Sequence, residues 1–364
     1  MTHILDEVSE SVRVRAAFDS ANPRAIFNAA LDKQIEAIGS PLTLNEELEL
    51  RQSAENRLFG YGKLQPLLDD PEIEEIWING PFRIFIAKSG KSIQTPISLG
   101  AGELATLVER MLRPTGRRLD RSSPFVDASL PDGSRLHVAI PDITAQHWSV
   151  NIRKFPKRLI TMADLVAFGS INATEAAFLT EKVRDGANIL VSGATQAGKT
   201  TLLCALLNAI DPSERIITVE ETFEIRATNP DWVAMQTRQS NLEGGGEISL
   251  RRLIKESLRM RPSRLVVGEV REAEALDLLI ALNSGLPGLC TIHANSSLDA
   301  LMKICTLPLL AGNNISMDFI KPTVSTCIDY VVHCSLTASG SRKVSEIRRV
   351  NGFDGSISSE VVLP

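Results

Sequence analysis

The sequence predicts an α/β protein whose larger domain is a mainly parallel sheet with helices on both faces. A small α+β domain and an N-terminal helical segment precede it. Three observations carry this. Beyond residue 172, short apolar runs (188–192, 215–219, 264–268, 289–292) alternate with helix-patterned stretches (174–185, 200–210, 249–260, 272–284); that alternation marks a parallel sheet covered on both sides. Between Gly60 and Phe155 the pattern is different, with β-type runs broken by turn signals around one amphipathic stretch. The 364 residues also exceed what one typical core organises, so two domains are expected.

Residues 1–58 form the helical segment, with Ala25, Ile26, Ala29 and Ala30 at helical spacing. Met1-Thr-His-Ile-Leu-Asp-Glu7 has neither the basic nor the apolar region of a signal peptide. No apolar run approaches the ~20 residues that span a bilayer, so no direct membrane span is predicted. Residues 59–155 form the small domain. Its strands are Glu75–Asn79 and Arg83–Ala87, parted by Gly80-Pro81, then Arg135–Ile140, entered through Pro131-Asp-Gly133, and Trp148–Arg153. Gly102 to Leu112 is its helix. A linker region covers 156–172, opened by the basic run Lys154-Phe-Pro-Lys-Arg158. The parallel-sheet domain occupies 173–340. The β-type tail, 341–364, continues the strand-like pieces 328–335, 343–350 and 357–363, and the pattern assigns it no place.

A net charge of −5 argues against nucleic acid as the main partner while leaving room for a local basic groove. The five cysteines are odd in number and include no C-x-x-C pair. That argues against a disulfide framework or a tetracysteine zinc site and points to free thiols in a reducing cytosol.

The chemistry gathers around Gly193-Ala194-Thr195-Gln196-Ala197-Gly198-Lys199-Thr200-Thr201, which fits G-x-x-x-x-G-K-[ST]. A buried strand, Asn188–Ser192, precedes it and a helical run from Leu202 follows. Strand, glycine-rich turn and helix N-terminus aim several backbone N–H groups at one point, where the helix dipole is positive. A nucleoside triphosphate is the expected ligand, with Lys199 reaching the β- and γ-phosphates and the Thr200 hydroxyl on Mg²⁺. Two other strands end in carboxylates, Glu220-Glu221 after 215–219 and Glu269 after 264–268. Ligands of open α/β sheets collect at the carboxyl ends of strands, so these groups should converge on the phosphates. A common metal-binding motif would place Asp before Glu269, but Gly268 stands there. Mg²⁺ and water organisation then fall to Thr200 and Glu220 together with Glu269, the last as base.

The run Leu258-Arg-Met-Arg-Pro-Ser-Arg-Leu-Val-Val-Gly-Glu-Val-Arg271, with Glu274-Ala-Leu-Asp277 and Thr291-Ile-His-Ala-Asn295, resembles the secretion-ATPase superfamily. Its members are the motors of type II and type IV secretion, type IV pili and Tad/Flp pili. Gly60–Leu68, Ile78–Pro81, Pro131–Arg135 and Ile152–Phe155 extend the likeness, from about residue 55 to 350. The CpaF/TadA branch is the nearest in shape and VirB11 its neighbour; the absent tetracysteine element sets type II and type IVa pilus assembly motors apart.

The resemblance implies a RecA-like P-loop NTPase domain in which Lys199, Glu220, Glu221, Glu269 and His293 carry the catalysis. Gly193–Thr201 is then the Walker A motif, Glu220-Glu221 the Asp box, Gly268-Glu269 the Walker B equivalent, and His293 part of the His box. Ser284-Gly-Leu286 stands where the family commonly has T-G-H, so one histidine is missing, which bears on how the γ-phosphate state is passed to neighbouring strands. Arg135 and Arg153 match arginines that reach the phosphates from the small domain, and Arg238 is a further candidate. The resemblance also implies a homohexameric ring, closure of the small domain on the nucleotide, and a cytoplasmic location docked on an inner-membrane platform protein. A nucleic-acid translocase or a non-hydrolysing nucleotide-gated adaptor would be the alternatives of other classes.

Overall fold

In the computed structural model the residues described are 23–38, 42–100, 102–155, 159–238 and 245–363. The first part of the predicted helical segment and residues 156–158 of the basic run lie outside them. The chain divides into two compact units, 1–154 and 155–364.

In the first unit, α1 (Pro23–Glu36) packs on α2 (Leu44–Leu58). Ile26, Phe27, Ala30 and Leu31 recur on one face of α1 and bury against Ala54 of α2. Thr43 starts α2 with a reciprocal capping box to Glu46, a device that stabilises a helix start by about 1 kcal/mol. Beyond α3 (Gln65–Asp69) come β1 (Ile73–Ile78), β2 (Ile84–Lys88), β3 (Lys91–Gln94), α4 (Glu103–Leu112), β4 (Phe125–Ser129), β5 (Arg135–Ala139) and β6 (Ser149–Arg153). The strands form one sheet in the order β3-β2-β1-β6-β5-β4, antiparallel throughout. Ile76, Ile78, Leu136, Val138 and Ile152 bury one face, where Leu107, Val108 and Met111 of α4 cover it. Period-two alternation sends Glu75, Trp77, Arg135, His137, Asn151 and Arg153 to the other face. The strands β3 and β4 escape the apolar pattern because each is short and carries polar residues.

The second unit opens with α5 (Met162–Ala167) and α6 (Ala173–Arg184). Then follow β7 (Ile189–Gly193), α7 (Lys199–Leu207), β8 (Ile216–Glu220), β9 (Trp232–Gln236), α8 (Leu250–Ser257), β10 (Arg264–Val270), α9 (Glu274–Asn283) and β11 (Gly288–His293). The rest comprises α10 (Ser297–Thr306), α11 (Met317–Cys327), β12 (Tyr330–Leu336), β13 (Arg342–Phe353) and β14 (Ile357–Leu363). One eight-stranded sheet runs β14-β13-β12-β7-β11-β10-β8-β9. The stretch from β12 to β9 is parallel, and β13 and β14 join antiparallel. The tail therefore continues the main sheet at one edge. Two apolar cores flank the sheet. Leu165, Leu179 and Leu203 of α5, α6 and α7 fill one, and Ile254, Leu278, Ile304 and Val324 of α8, α9, α10 and α11 the other. Strands β7 and β8 are buried along their full length, as strands sandwiched between helix layers must be. This order places β7 at the centre, with the carboxyl ends of β7, β11, β10 and β8 on one rim.

Candidate functional site

The loop after β7 is built to receive an anion. At its start Gly193 packs on the backbone carbonyl of Cys334 so closely that a Cβ would overlap it. Ala197 N–H closes the turn on the Ala194 carbonyl at 3.3 Å, and Gly198, at φ 92°, delivers the chain into α7. Helices α2, α5 and α6 satisfy their first amides with side chains of Thr43, Thr161 and Asn172. Helix α7 begins behind Gly198 with no side-chain cap. Its leading N–H groups are then available to a ligand, where the helix dipole favours negative charge.

Lys199 is buried, and its Nζ donates to the Ala194 carbonyl at 2.9 Å and lies 3.0 Å from His293 Nδ1. Since ammonium can only donate, Nδ1 accepts and Nε2 bears the imidazole proton. That Nε2 faces Glu269 Oε1 at 2.8 Å. Burial, with Lys199 and Arg271 nearby, holds the His293 pKa below its ordinary value despite the Glu269 charge, so the imidazole is neutral at neutral pH. Arg271 takes the other Glu269 oxygen at 2.6 Å and reaches Glu221 Oε2 at 2.6 Å. Lys199, His293, Glu269, Arg271 and Glu221 thus form one continuous polar chain across the rim. An irregularity in the β10–β11 ladder between Val267 and Val270 turns Gly268 and Glu269 out of register, and Thr291 Oγ1 donates to the freed Gly268 carbonyl at 2.7 Å.

Glu220 behaves differently from Glu221. It is 2% exposed, and its Oε2 accepts from the backbone N–H groups of Glu224 and Ile225, each at 2.8 Å. Oε1 is buried without a partner. Burial pushes the carboxyl up to about 7 against the pull of those two N–H groups. Its charge also reaches Cys204, whose thiol burial drives up to about 11. Cys204 stands one turn after Thr200 on α7, so Glu220 lies within electrostatic reach of that helix. The orphaned oxygen and the Thr200 hydroxyl are hard oxygen donors and fit Mg²⁺. Among the described residues, no group of three or more His, Cys, Asp or Glu could hold a metal ion. Glu269 Oε2 is held by Arg271 at 2.6 Å, while its Oε1, 2.8 Å from His293 Nε2, is buried without a hydrogen-bond partner like that of Glu220.

The other candidates lie apart. Arg238 follows β9, the edge strand four positions from β7, and donates from Nε to the Gly246 carbonyl at 2.6 Å. Arg135 and Arg153 stand directly opposite each other on β5 and β6 of the first unit, Arg135 within 3.4 Å of Asp127. Leu286 precedes β11, whereas His293 ends it. It packs partly buried against the apolar core, at the rim of the sheet opposite the P-loop. The position where a histidine is missing is therefore at the opposite end of β11 from His293.

Three further side chains stand at the site. Arg271 could have been suspected from its place two residues after Glu269. Lys303, whose Nζ donates to the His293 carbonyl at 3.0 Å, and Arg342, whose Nε donates to the Gln196 carbonyl at 2.9 Å, carry no local signal.

Residues 59–345 match the family described as type II/IV secretion system protein. A putative conjugal transfer protein of Mycobacterium tuberculosis (strain ATCC 25618 / H37Rv) is 33% identical over 317 residues, covering 85% of this chain and 89% of that protein. The type IV secretion system protein VirB11 of Bartonella henselae is 28% identical over 327 residues, covering 78% of this chain and 91% of that one. The X-ray structure of the Legionella pneumophila ATPase DotB superposes with a TM-score of 0.57 at 19% identity over 77% of each chain, a likeness of fold. The second unit has the RecA-like P-loop architecture.

Proposed function

We propose that this chain, which belongs to the type II/IV secretion system protein family, is an ATP-hydrolysing motor whose chemistry runs along the chain from Lys199 to Arg271. The observation that carries this is the contact of Lys199 with neutral His293, itself facing Glu269. A P-loop lysine and the water-orienting carboxylate are thereby joined through one imidazole.

In this reading the amides of 194–200 cradle the phosphates of ATP, and Lys199 leaves the Ala194 carbonyl and His293 to meet them. His293 and Glu269 then lose a neighbouring positive charge and gain a phosphate. Glu269, anchored by Arg271, orients the attacking water and accepts its proton. Thr200 and Glu220 would hold Mg²⁺, which when bound neutralises charge on the β- and γ-phosphates. Arg135 and Arg153, directly opposite each other on β5 and β6, grip the phosphates through their planar donor groups when the first unit closes on the nucleotide. Phosphate loss releases that grip and gives the working stroke.

The motor would act as a cytoplasmic homohexamer docked on an inner-membrane platform protein. Among the described residues no helix is long and apolar enough to cross a membrane. For its cargo, the motif set favours Tad/Flp pilus assembly. A second reading, a VirB11-type conjugation or secretion motor, is favoured by the conjugal-transfer and VirB11 names of the relatives. Phosphate release measured on wild-type protein and on Glu269→Gln tests the proposal. Nucleotide binding should persist in the variant while turnover falls by about 10²-fold or more; normal turnover in Glu269→Gln would refute the assignment.

A further inference from the structure

The P-loop meets the C-terminal hairpin of β12 and β13 at both its root and its tip. At the root, Gly193 is paired in register with Cys334 of β12 and leaves no room for a side chain. At the tip, Arg342 at the start of β13 donates from Nε to the Gln196 carbonyl at 2.9 Å. Its methylene stem lies across Gly198, with Cδ 3.4 Å from where a Cβ would stand.

The two residues it touches both have left-handed backbone, Gln196 at φ 63° and Gly198 at φ 92°. Glycine adopts this freely, whereas Gln196 does so against its own steric preference. An exposed non-glycine residue in that conformation persists only where something beyond its own turn holds it. Arg342 is well placed to hold it, because its strand is fixed in the same sheet as the loop. Leu336 pairs with Arg342, β12 pairs with β7, and the intervening turn is closed by Thr337 N–H on the Ser341 carbonyl at 2.9 Å.

We infer that Arg342 is a positioning residue for the nucleotide cradle. It holds Gln196–Gly198 in the shape that receives phosphate, so that binding need not first order the loop. The inference rests on the phosphate-binding reading of the P-loop and adds to it a C-terminal strand that sets nucleotide affinity from 146 residues away. It predicts an effect on binding with little on the chemical step, since the bond Arg342 makes is to the backbone of the loop.

The experiment compares full-length wild type with Arg342→Ala and Arg342→Lys. Lysine keeps the charge and the stem but has a methylene where the Nε donor stood. ADP affinity, kcat and KM for ATP, and amide exchange of the nucleotide-free proteins are measured. Both variants should bind ADP and ATP roughly tenfold more weakly, the loss of one charge-assisted hydrogen bond. Their kcat should stay within about twofold of wild type. Exchange should accelerate across 194–199, and saturating nucleotide should restore protection there. Full rescue by lysine would overturn the inference in favour of a plain charge effect. Unchanged loop exchange would also overturn it, as would loosening of the whole region 330–363 with a lowered Tm. If wild type binds no nucleotide, the proposed function falls, and the exchange comparison alone decides what Arg342 does.

Discussion

Glu220 fills the space that a side chain on Gly268 would need: a Cβ at 268 would stand 2.9 Å from Glu220 Cγ. The carboxylate at the end of β8 thus leans under the end of β10, and its Oε2 is fixed there by two backbone N–H groups. A metal-binding Asp before Glu269 and this placement of Glu220 are mutually exclusive. Glycine at 268 is the complement of a buried glutamate at 220.

Gly268→Ala should therefore destabilise the protein, because the clash is with a side chain that its hydrogen bonds hold in place. A loss of about 1–3 kcal/mol is expected, as for other overpacked cores, together with weaker Mg²⁺-dependent nucleotide binding as Glu220 is displaced. Urea melts and ADP titrations with and without Mg²⁺ check this. A variant as stable as wild type with unchanged metal dependence would mean that Glu220 can move aside freely.

Glu220 also makes stability depend on pH. Its folded carboxyl, pushed up to about 7, lies above its ordinary 4.5, so between those values the folded state holds a proton that the unfolded state releases. Stability from this group is then full below 4.5, falls as pH rises, and is lost above 7. Glu220→Gln stays neutral while its carbonyl still accepts from the two N–H groups. Measured without nucleotide or metal, its stability relative to wild type should rise from pH 5 to pH 8, by on the order of 3 kcal/mol at most. Parallel stability curves for the two proteins would show that Glu220 is charged throughout.

Leu286→His restores the histidine common in the family at that position. Because Leu286 packs on the apolar core at the rim opposite His293, turnover should remain within about twofold of wild type. Stability should drop by ~1–3 kcal/mol as an imidazole replaces a packed leucine. Steady-state hydrolysis and thermal melts settle both points. A clear gain in kcat would show that this edge of the sheet communicates with the phosphates.

Much of this was legible in the residue order. The buried strands of the second unit stand out as apolar runs because both their faces are covered, and Gly193–Thr201 is recognisable because turn, donor and hydroxyl are local to nine residues. The expected strands 188–192, 215–219, 264–268 and 289–292 are β7, β8, β10 and β11 to within a few residues. The short edge strand β3, Lys91-Ser-Ile-Gln94 and exposed throughout, shows no comparable pattern, since one exposed side relaxes the demand for apolar residues.

By itself, then, the sequence determined the α/β class, the phosphate-cradling loop and the carboxylates at the strand ends, all features written within single elements. Tertiary structure alone decided which of them cooperate. Lys199 meets His293 across 94 residues, Ser192 meets His333 across 141, and Arg342 reaches Gln196 across 146, because β7 lies between β11 and β12 in the sheet. The same strand order leaves β9, with Arg238 beyond its end, at the far edge. Burial raised the Glu220 carboxyl. Neighbourhood and burial arise only when strands distant in sequence are laid side by side, and no spacing along the chain encodes them.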